Sequence, residues 1–311
     1  MRVIVVGLGI QGNKRRQIAG ADVVATVDPL VPGADYRSIE DVPTDRYDAA
    51  LLCIPDDPKV ELIRYLLNQK KNVLVEKPLW ATEETHIMEI EQLIQRNNVV
   101  CYTAYNHRFE PHFIQMRDLI VSGKLGKIYS CRMFYGNGTA RLVRDSVWRD
   151  QGAGVLPDLG SHLLDTCLFW FGAELGEFRL TAAHYFENRA PDHVVISAED
   201  HQPRIELEMT LCMWRNHFTC DVLAENGTAH IDSLCKWGPS TFTLRKRVLP
   251  SGRPTEESII LVQPDPTWKL EYEYFKRLCA TGQGSNIAND LIINKMLNKL
   301  ASQALGKEYY E

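Results

Sequence analysis

The chain begins MRVIVVGLGIQG (residues 1–12), a short apolar run followed at once by three closely spaced glycines. Residues 2–6 (RVIVV) are nearly continuously apolar, as in a strand buried on both faces of a parallel sheet. The next six residues match G-x-G-x-x-G and open a helical pattern, where glycines permit a tight turn and close approach of a pyrophosphate to the positive end of the helix. The stretch predicts a dinucleotide-binding turn, and the alternative is a purely structural strand–turn–helix. The residues expected to contact the cofactor are Gly7, Gly9, Ile10, Gln11 and Gly12.

The second predicted strand ends in an acidic residue, Asp28, about twenty residues after the glycine turn. A carboxylate at this position can accept hydrogen bonds from the adenosine ribose hydroxyls, and it repels a 2′-phosphate. The following Pro29 and Leu30 offer no basic group for such a phosphate, whereas Arg15 and Arg16 lie inside the first predicted helix. NAD is therefore the predicted cofactor, and NADP is the less favoured alternative.

The pattern of predicted strands and helices changes after about residue 122. Before that point, β-rich runs alternate with helical patterns, which predicts a doubly wound parallel sheet. From residue 127 onward β-like runs follow one another, interrupted by one helical pattern at 157–171, which predicts an α+β domain with a large, mostly antiparallel open sheet. We therefore predict an α/β protein with a dinucleotide-binding domain at 1–122 and a substrate-binding and oligomerisation domain at 123–311. Two closing helical patterns, near 268–281 and 288–303, suit packing on either domain.

Composition excludes several classes of protein. The 311 residues include 45% hydrophobic and 24% charged residues, as in ordinary folded proteins, and the formal net charge is −5, which disfavours nucleic-acid binding. No apolar stretch is long enough for a membrane span. The eight cysteines contain no C-x-x-C pair and read as buried thiols, so we expect no metal site and a cytoplasmic protein.

Two places carry ionisable groups that suit chemistry. Lys77 follows the fourth predicted strand at its carboxyl end, where open α/β sheets bind ligands, although a surface lysine paired with Glu76 would look the same. In GVLPDLGSHLLDTC (154–167), a helix opened by Pro157 would put Asp158, His162 and Asp165 on one face. The alternative for His162 is a core histidine bonded to a carbonyl.

Four motifs in order resemble the Gfo/Idh/MocA family of oxidoreductases: GLGIQG at 7–12, E-K-P at 76–78, N-x-R-F-x-P at 106–111, and W-R at 148–149 leading through a glycine-rich turn to D-x-x-x-H at 158–162. The resemblance runs along essentially the whole chain. It implies a Rossmann domain followed by an α/β domain, and oxidation or reduction of a sugar or polyol hydroxyl. It also implies further cofactor contacts from Ile54, Pro55, Glu76, Lys77, Pro78 (after a cis peptide), Asn106, Trp148 and Arg149.

The resemblance also implies catalytic roles for Lys77, Asp158 and His162. Oxidation of a carbinol needs a base for the hydroxyl proton and a positive group near the oxygen. His162 is the expected base, Lys77 is expected to polarise the oxygen or share proton transfer, and Asp158 to orient one of them. Substrate contacts are expected from Lys77, Arg108, Asp158, His162 and Asp165, with a helix-surface hydrogen bond as the alternative for Asp165. Asp56 and Ala153 depart from the family pattern, so local cofactor contacts near Asp56 stay open.

The expected substrate is a sugar, a polyol or a nucleotide-linked sugar. Arg141, Arg144 and Arg149 precede the D-x-x-x-H helix and suit an anionic substrate, unless they pair with acids such as Asp145 and Asp150.

Two rival functions remain: an NAD-dependent glycosidase with no net redox change, and a non-catalytic NAD-binding sensor or assembly protein. The expected partners are the small-molecule substrate and further copies of the chain, in a homodimer or homotetramer through the C-terminal sheet.

Overall fold

The computed structural model of the chain describes residues 1–146 and 149–306. Cα packing divides it into two compact units, the first comprising Met1–Asn106 with Pro266–Lys295 and the second comprising His107–Asp265 with residues 296–306. The predicted domain boundary after residue 122 stays a prediction. Trp148 lies outside the described residues.

The first unit is built on a parallel sheet of five short strands. These are β1 (Val3–Val6), β2 (Val23–Val27), β3 (Ala49–Leu52), β4 (Asn72–Glu76) and β5 (Cys101–Ala104), arranged in the order β2-β1-β3-β4-β5. The helices between them are α1 (Ile10–Ala19), α2 (Lys59–Asn68) and α3 (Glu84–Asn97). Every residue of β1, β3 and β5 is buried, as their continuous apolar runs require in a sheet covered on both faces.

The second unit contains an eight-stranded sheet. Its strands are β6 (Ile128–Gly136), β7 (Arg179–His184), β8 (His193–Ala198), β9 (Arg204–Thr210), β10 (His217–Ala224), β11 (Gly227–Asp232), β12 (Ser240–Lys246) and β13 (Thr255–Leu261). They lie in the order β13-β12-β11-β10-β6-β9-β8-β7, and every pairing is antiparallel except β6 with β9. Alternating burial along β10 and β11 shows that one face of the sheet is covered. The predicted fold class is therefore confirmed.

Three helices belong to the second unit: α4 (Pro111–Val121), α5 (Ala140–Arg144) and α6 (Ser161–Phe171). The indole N–H of Trp170 on α6 donates to the Phe113 carbonyl of α4 at 3.0 Å. The predicted helix at 157–171 differs at its start, where residues 156–160 form a π-helical turn. Pro157 has no N–H to donate, and the Ser161 N–H reaches back five residues to the Leu156 carbonyl.

The two closing helices are α7 (Thr267–Thr281) and α8 (Ile287–Ala304), for which the sequence left the choice of domain open. Residues Pro266–Lys295 pack with the first unit. There the Asn286 side chain bonds both the N–H and the carbonyl of Thr103 at 2.8 Å, which completes the outer edge of β5, and Asn294 accepts the Ala81 N–H at 2.8 Å. The end of α8 belongs to the second unit, where Gln303 accepts the Leu180 N–H at 2.9 Å.

None of the helices within the described ranges is both long and apolar enough to cross a membrane. All eight cysteines lie in those ranges and carry free thiols.

Candidate functional site

The glycine turn joins β1 to α1 at the carboxyl edge of the parallel sheet. Gly7 has φ +86°, and a Cβ there would stand 2.4 Å from the Cys53 carbonyl oxygen. A Cβ on Gly12 would stand 1.8 Å from the carbonyl oxygen of Gly7. In contrast, a Cβ on Gly9 meets no heavy atom within 4 Å among the described residues. Two glycines are therefore required by packing, while the third leaves open space at the start of the helix.

That open space faces a helix N-terminus suited to an anion. Gly9 is the residue before α1, and it has no side chain that could cap the first turn. Ile10 and Gln11 are exposed. Uncapped N–H groups carry the positive end of the helix dipole, so this turn can receive a phosphate.

Asp28 follows β2 beside the glycine turn and first of all organises the backbone there. Its carboxylate accepts the Leu8 N–H at 2.7 Å and the N–H groups of Leu30 and Val31 at 2.9 Å each. Burial alone would raise the pKa of Asp28, but these three backbone hydrogen bonds hold it below its ordinary value. The carboxylate is thus ionised and fixed, with Oδ2 retaining acceptor capacity for a ribose hydroxyl.

Arg37 is a basic residue near this loop that the sequence analysis did not consider. Its guanidinium donates to the carbonyls of Asp28, Pro29 and Val31, at 3.4, 3.4 and 3.0 Å. Arg15, in contrast, is buried inside the first unit. Arg37 is nine residues from Asp28 in sequence, so the residues next to Asp28 give no sign of it. It lies near Asp28 because the chain returns to the end of β2, where Val27 and Tyr36 form a bridge.

The E-K-P segment follows β4 at the same edge of the sheet. Lys77 is half-buried, and the Lys77–Pro78 peptide bond is cis. The buried ammonium of Lys59 donates to the Pro78 carbonyl at 2.8 Å and to Asp56 at 2.6 Å. Asp56, which departs from the family pattern, therefore holds the lysine that braces this segment. Ile54 and Pro55 precede it, half-buried and exposed respectively.

Glu76 pairs with an arginine of α1. Arg15 is 1% exposed, and its guanidinium lies 2.7 Å from Glu76 and 2.7 Å from Glu271 of α7. The carboxylates outweigh the burial of Arg15, so the pKa of its guanidinium is raised. This buried triad fixes the start of the E-K-P segment relative to α1. Asn106, after β5, is buried and donates to the Thr267 hydroxyl at 2.8 Å.

His162 lies in the second unit and stacks against a second histidine. The rings of His162 and His107 have centroids 4.0 Å apart and an interplanar angle of 18°. Tyr135 of β6 contacts both rings, with centroid distances of 6.1 Å to His162 and 5.4 Å to His107. His162 is 8% exposed and His107 is 1% exposed, so packing fixes both rings. His107 is the unspecified second position of the N-x-R-F-x-P motif at 106–111, where the motif predicts no role.

Two predicted substrate residues, Arg108 and Asp165, pair with each other. The guanidinium donates from Nε at 2.8 Å and from a terminal nitrogen at 2.6 Å, in a two-pronged contact. Asp165 is 1% exposed. Burial raises the pKa of its carboxyl, and Arg108 opposes that rise only in part. Asp165 thus lies inside the unit, bonded to an arginine from a distant part of the chain.

Asp158 lies in the π-helical turn and receives the Arg149 guanidinium at 3.4 Å. Arg141 faces Glu187 at 3.5 Å, and the Asp150 carboxylate accepts the N–H groups of Arg189 and Ala190. Arg141 and Arg149 therefore form ion pairs, as the alternative expected, whereas Arg144 is exposed and forms no ion pair with another described residue.

Comparisons with known proteins bear on both units. Residues 1–105 match the family described as "Oxidoreductase family, NAD-binding Rossmann fold", and residues 113–230 match the "GFO/IDH/MocA C-terminal domain". This chain belongs to the Gfo/Idh/MocA oxidoreductase family. Its Rossmann domain is the NAD-binding domain of that family.

Named relatives are distant from this chain. It is 26% identical over 179 residues to inositol 2-dehydrogenase of Rhizobium meliloti, a match covering 56% of this chain and 53% of that protein. It is 26% identical over 148 residues to glucose-6-phosphate 3-dehydrogenase of Bacillus subtilis, covering 46% and 41%. The matched regions span about half the length or less of these relatives.

Among solved structures, levoglucosan dehydrogenase in complex with NADH superimposes with a TM-score of 0.83 at 17% identity, covering 98% of this chain and 97% of that one. At this identity the similarity concerns the fold.

Proposed function

We propose that this chain is an NAD-dependent dehydrogenase that transfers a hydride between the nicotinamide and a secondary hydroxyl of a sugar or polyol. The observation that supports this most is the glycine turn, in which Gly7 and Gly12 are fixed by packing while Gly9 leaves open space at an uncapped helix N-terminus. The relatives named as dehydrogenases of inositol, glucose 6-phosphate and levoglucosan support the substrate class.

The described residues of the first unit fit a dinucleotide. The turn would hold the pyrophosphate through backbone N–H groups, and Asp28 would accept a ribose hydroxyl through Oδ2. The fixed negative charge of Asp28 disfavours a 2′-phosphate, so NAD is the proposed cofactor rather than NADP. Ile54, Pro55, Pro78 and Asn106 follow the neighbouring strands at the same edge and are proposed to border it.

When bound, NAD supplies the acceptor for the hydride. His162 is proposed to take up the hydroxyl proton as the carbinol is oxidised, and it returns a proton to the oxygen in the reverse direction. Lys77 is proposed to hold the reacting oxygen through its ammonium. Asp158, fixed by Arg149, is proposed to accept a substrate hydroxyl or to orient the reacting groups.

The charges of the second unit favour a neutral, polyhydroxylated substrate. The guanidinium groups of Arg108 and Arg149 face Asp165 and Asp158, and Arg141 faces Glu187. These three arginines each have a carboxylate partner, whereas exposed Arg144 has none among the described residues, so the attraction for a diphosphate is reduced rather than removed. Nucleotide-linked sugars are included in the substrate panel below as the anionic class of substrate.

The experiment is a panel of sugars, polyols and nucleotide-linked sugars, assayed by NADH absorbance. Lys77→Ala should abolish turnover and leave NAD binding nearly intact, whereas Lys124→Ala, at an exposed position, should behave as the unmodified protein. Loss of folding in Lys77→Ala would assign that residue a structural role. Cleavage of a glycosidic substrate without NADH accumulation would favour the NAD-dependent glycosidase, and normal turnover after His162→Gln would overturn the proposed base.

A further inference from the structure

A cluster of three metal-ligating side-chain types lies in the second unit, and none of its members has a role in the proposed reaction. Glu110 immediately precedes α4, Cys235 lies in the short 3₁₀ turn at 235–237 between β11 and β12, and Asp265 follows β13. One ligand atom from each residue lies within 4.8 Å of the other two. Three segments far apart in sequence therefore bring an oxygen, a sulfur and an oxygen together.

Burial of the cluster leaves one of its oxygens without a hydrogen bond. Glu110 and Cys235 are each 2% exposed, and Asp265 is half-buried. The Cys235 N–H donates to Oε2 of Glu110 at 3.3 Å. Oε1 of Glu110 is also buried, and within the described part of the chain it accepts no hydrogen bond. A buried carboxylate oxygen in that state points to a missing partner, because such groups are costly to desolvate.

The ammonium of Lys236, the residue after Cys235, does not supply that partner. Nζ of Lys236 lies over the Trp237 ring, 4.7 Å from its centroid, and 5.9 Å from the centroid of the Tyr135 ring. Within residues 1–146 and 149–306, the Lys236 ammonium makes no hydrogen bond to Oε1 of Glu110.

We infer that Glu110, Cys235 and Asp265 form a binding site for a divalent transition-metal ion, with Zn²⁺ as the best match. Zn²⁺ accepts thiolate and carboxylate ligands together and readily adopts four-coordination, so the three side chains leave one position for water. Two carboxylates and a thiolate carry three negative charges, which the metal ion and the Lys236 ammonium would balance. The thiol proton is released to solvent on binding.

The required adjustment is small. Zn–S and Zn–O bonds of about 2.3 and 2.0–2.2 Å place the ligand atoms of a tetrahedral site about 3.5 Å apart, so the side chains need to close by roughly 1 Å. Half-buried Asp265 is the member that solvent can reach, and it offers the route for the ion. Such a site would join the start of α4 to two loops of the large sheet.

The test uses the full chain stripped of metal by a chelator and then titrated with Co²⁺, which reports a thiolate ligand through a charge-transfer band in the near ultraviolet. We expect one equivalent to produce the band in the unmodified chain and in the control Cys279→Ser, a half-buried cysteine of the first unit. Cys235→Ser should lose the band, and Asp265→Asn should weaken binding at least tenfold. Zn²⁺ should compete with Co²⁺ and raise the melting temperature of the unmodified chain.

Absence of the band in the unmodified chain, or its persistence in Cys235→Ser, would overturn the inference. If Cys235→Ser fails to fold, the test rests on Asp265→Asn, at a half-exposed position. An unchanged affinity of Asp265→Asn for Co²⁺ would equally contradict the site. The readout is metal binding, so the result is independent of whether the chain is a dehydrogenase.

Discussion

At the scale of single residues, the second unit holds two different arrangements of buried ionisable groups. His107 and His162 stack as rings and contact Tyr135, whereas Arg108 and Asp165 form a two-pronged ion pair. His107 and Arg108 are neighbours in sequence, so one short segment serves both. The first arrangement suits the positioning of a base, and the second suits stability.

The ring of His107 is expected to hold the ring of His162 in place. His107→Ala should lower kcat on the order of ten- to a hundredfold through misplacement of the base, with the KM for NAD unchanged. His107→Phe keeps an aromatic ring in the stack and should restore most of kcat. Steady-state kinetics on both variants is the measurement, and equal losses in Ala and Phe would exclude a positioning role.

The pairing of Arg108 with Asp165 is expected to stabilise the fold. Arg108→Met leaves the 1% exposed carboxylate of Asp165 without its cation and should lower the free energy of unfolding by about 3–5 kcal/mol. The double variant Arg108→Met with Asp165→Leu should recover most of that loss, as a double-mutant cycle by denaturant unfolding would show. Unchanged stability of Arg108→Met together with a raised KM for the sugar would instead support the substrate contact first expected of it.

At the scale of elements, the glycine turn and α1 give the sharpest matched pair of variants. Gly9 has φ −68° and ψ −165°, which alanine adopts, and its Cβ would enter open space. Gly9→Ala should therefore fold with stability within about 0.5 kcal/mol of the unmodified chain and bind NAD at least tenfold more weakly. Gly12→Ala drives a Cβ against the Gly7 carbonyl and should destabilise the domain itself. Thermal unfolding and calorimetric titration with NAD separate the two, and unaltered NAD binding in Gly9→Ala would contradict the proposed cofactor position.

The strands and the glycine turn could be predicted from sequence because their signals are local. Continuous apolar runs predict β1, β3 and β4, and the glycine spacing predicts the turn. The partners of Asp165 and Glu76 were not predictable, since Arg108 and Arg15 reach them from remote segments. Local pattern also failed to show the π-helical turn at 156–160, which depends on the missing N–H of Pro157 and its surroundings.

At the scale of the whole molecule, the Asp28 carboxylate makes the free energy of unfolding depend on acidic pH. Hydrogen bonds keep the pKa of Asp28 below 3.8, its ordinary value, so the folded state holds that proton less tightly than the unfolded state. Its stabilisation is full above pH 3.8 and is lost as the pH falls through the lower pKa of the folded state. Denaturant unfolding at a series of acidic pH values should show this loss, and Asp28→Asn should show a shallower dependence. Identical slopes for the two proteins would contradict it.

The homodimer or homotetramer expected through the C-terminal sheet stays a prediction. The partly solvated face of that sheet carries ion pairs, including Arg132 with Glu206 and Arg245 with Glu256. An interface formed there would have to accommodate these charged groups beside exposed apolar side chains such as Leu223 and Ile260.

The central claim, hydride transfer from a carbinol carbon to NAD, is tested most directly with a substrate identified in the panel and deuterated at that carbon. After a single turnover with NAD, mass spectrometry of the nucleotide should find one deuterium per NADH formed, and His162→Gln should slow its appearance. Product formation with no deuterium in the nucleotide would contradict the account.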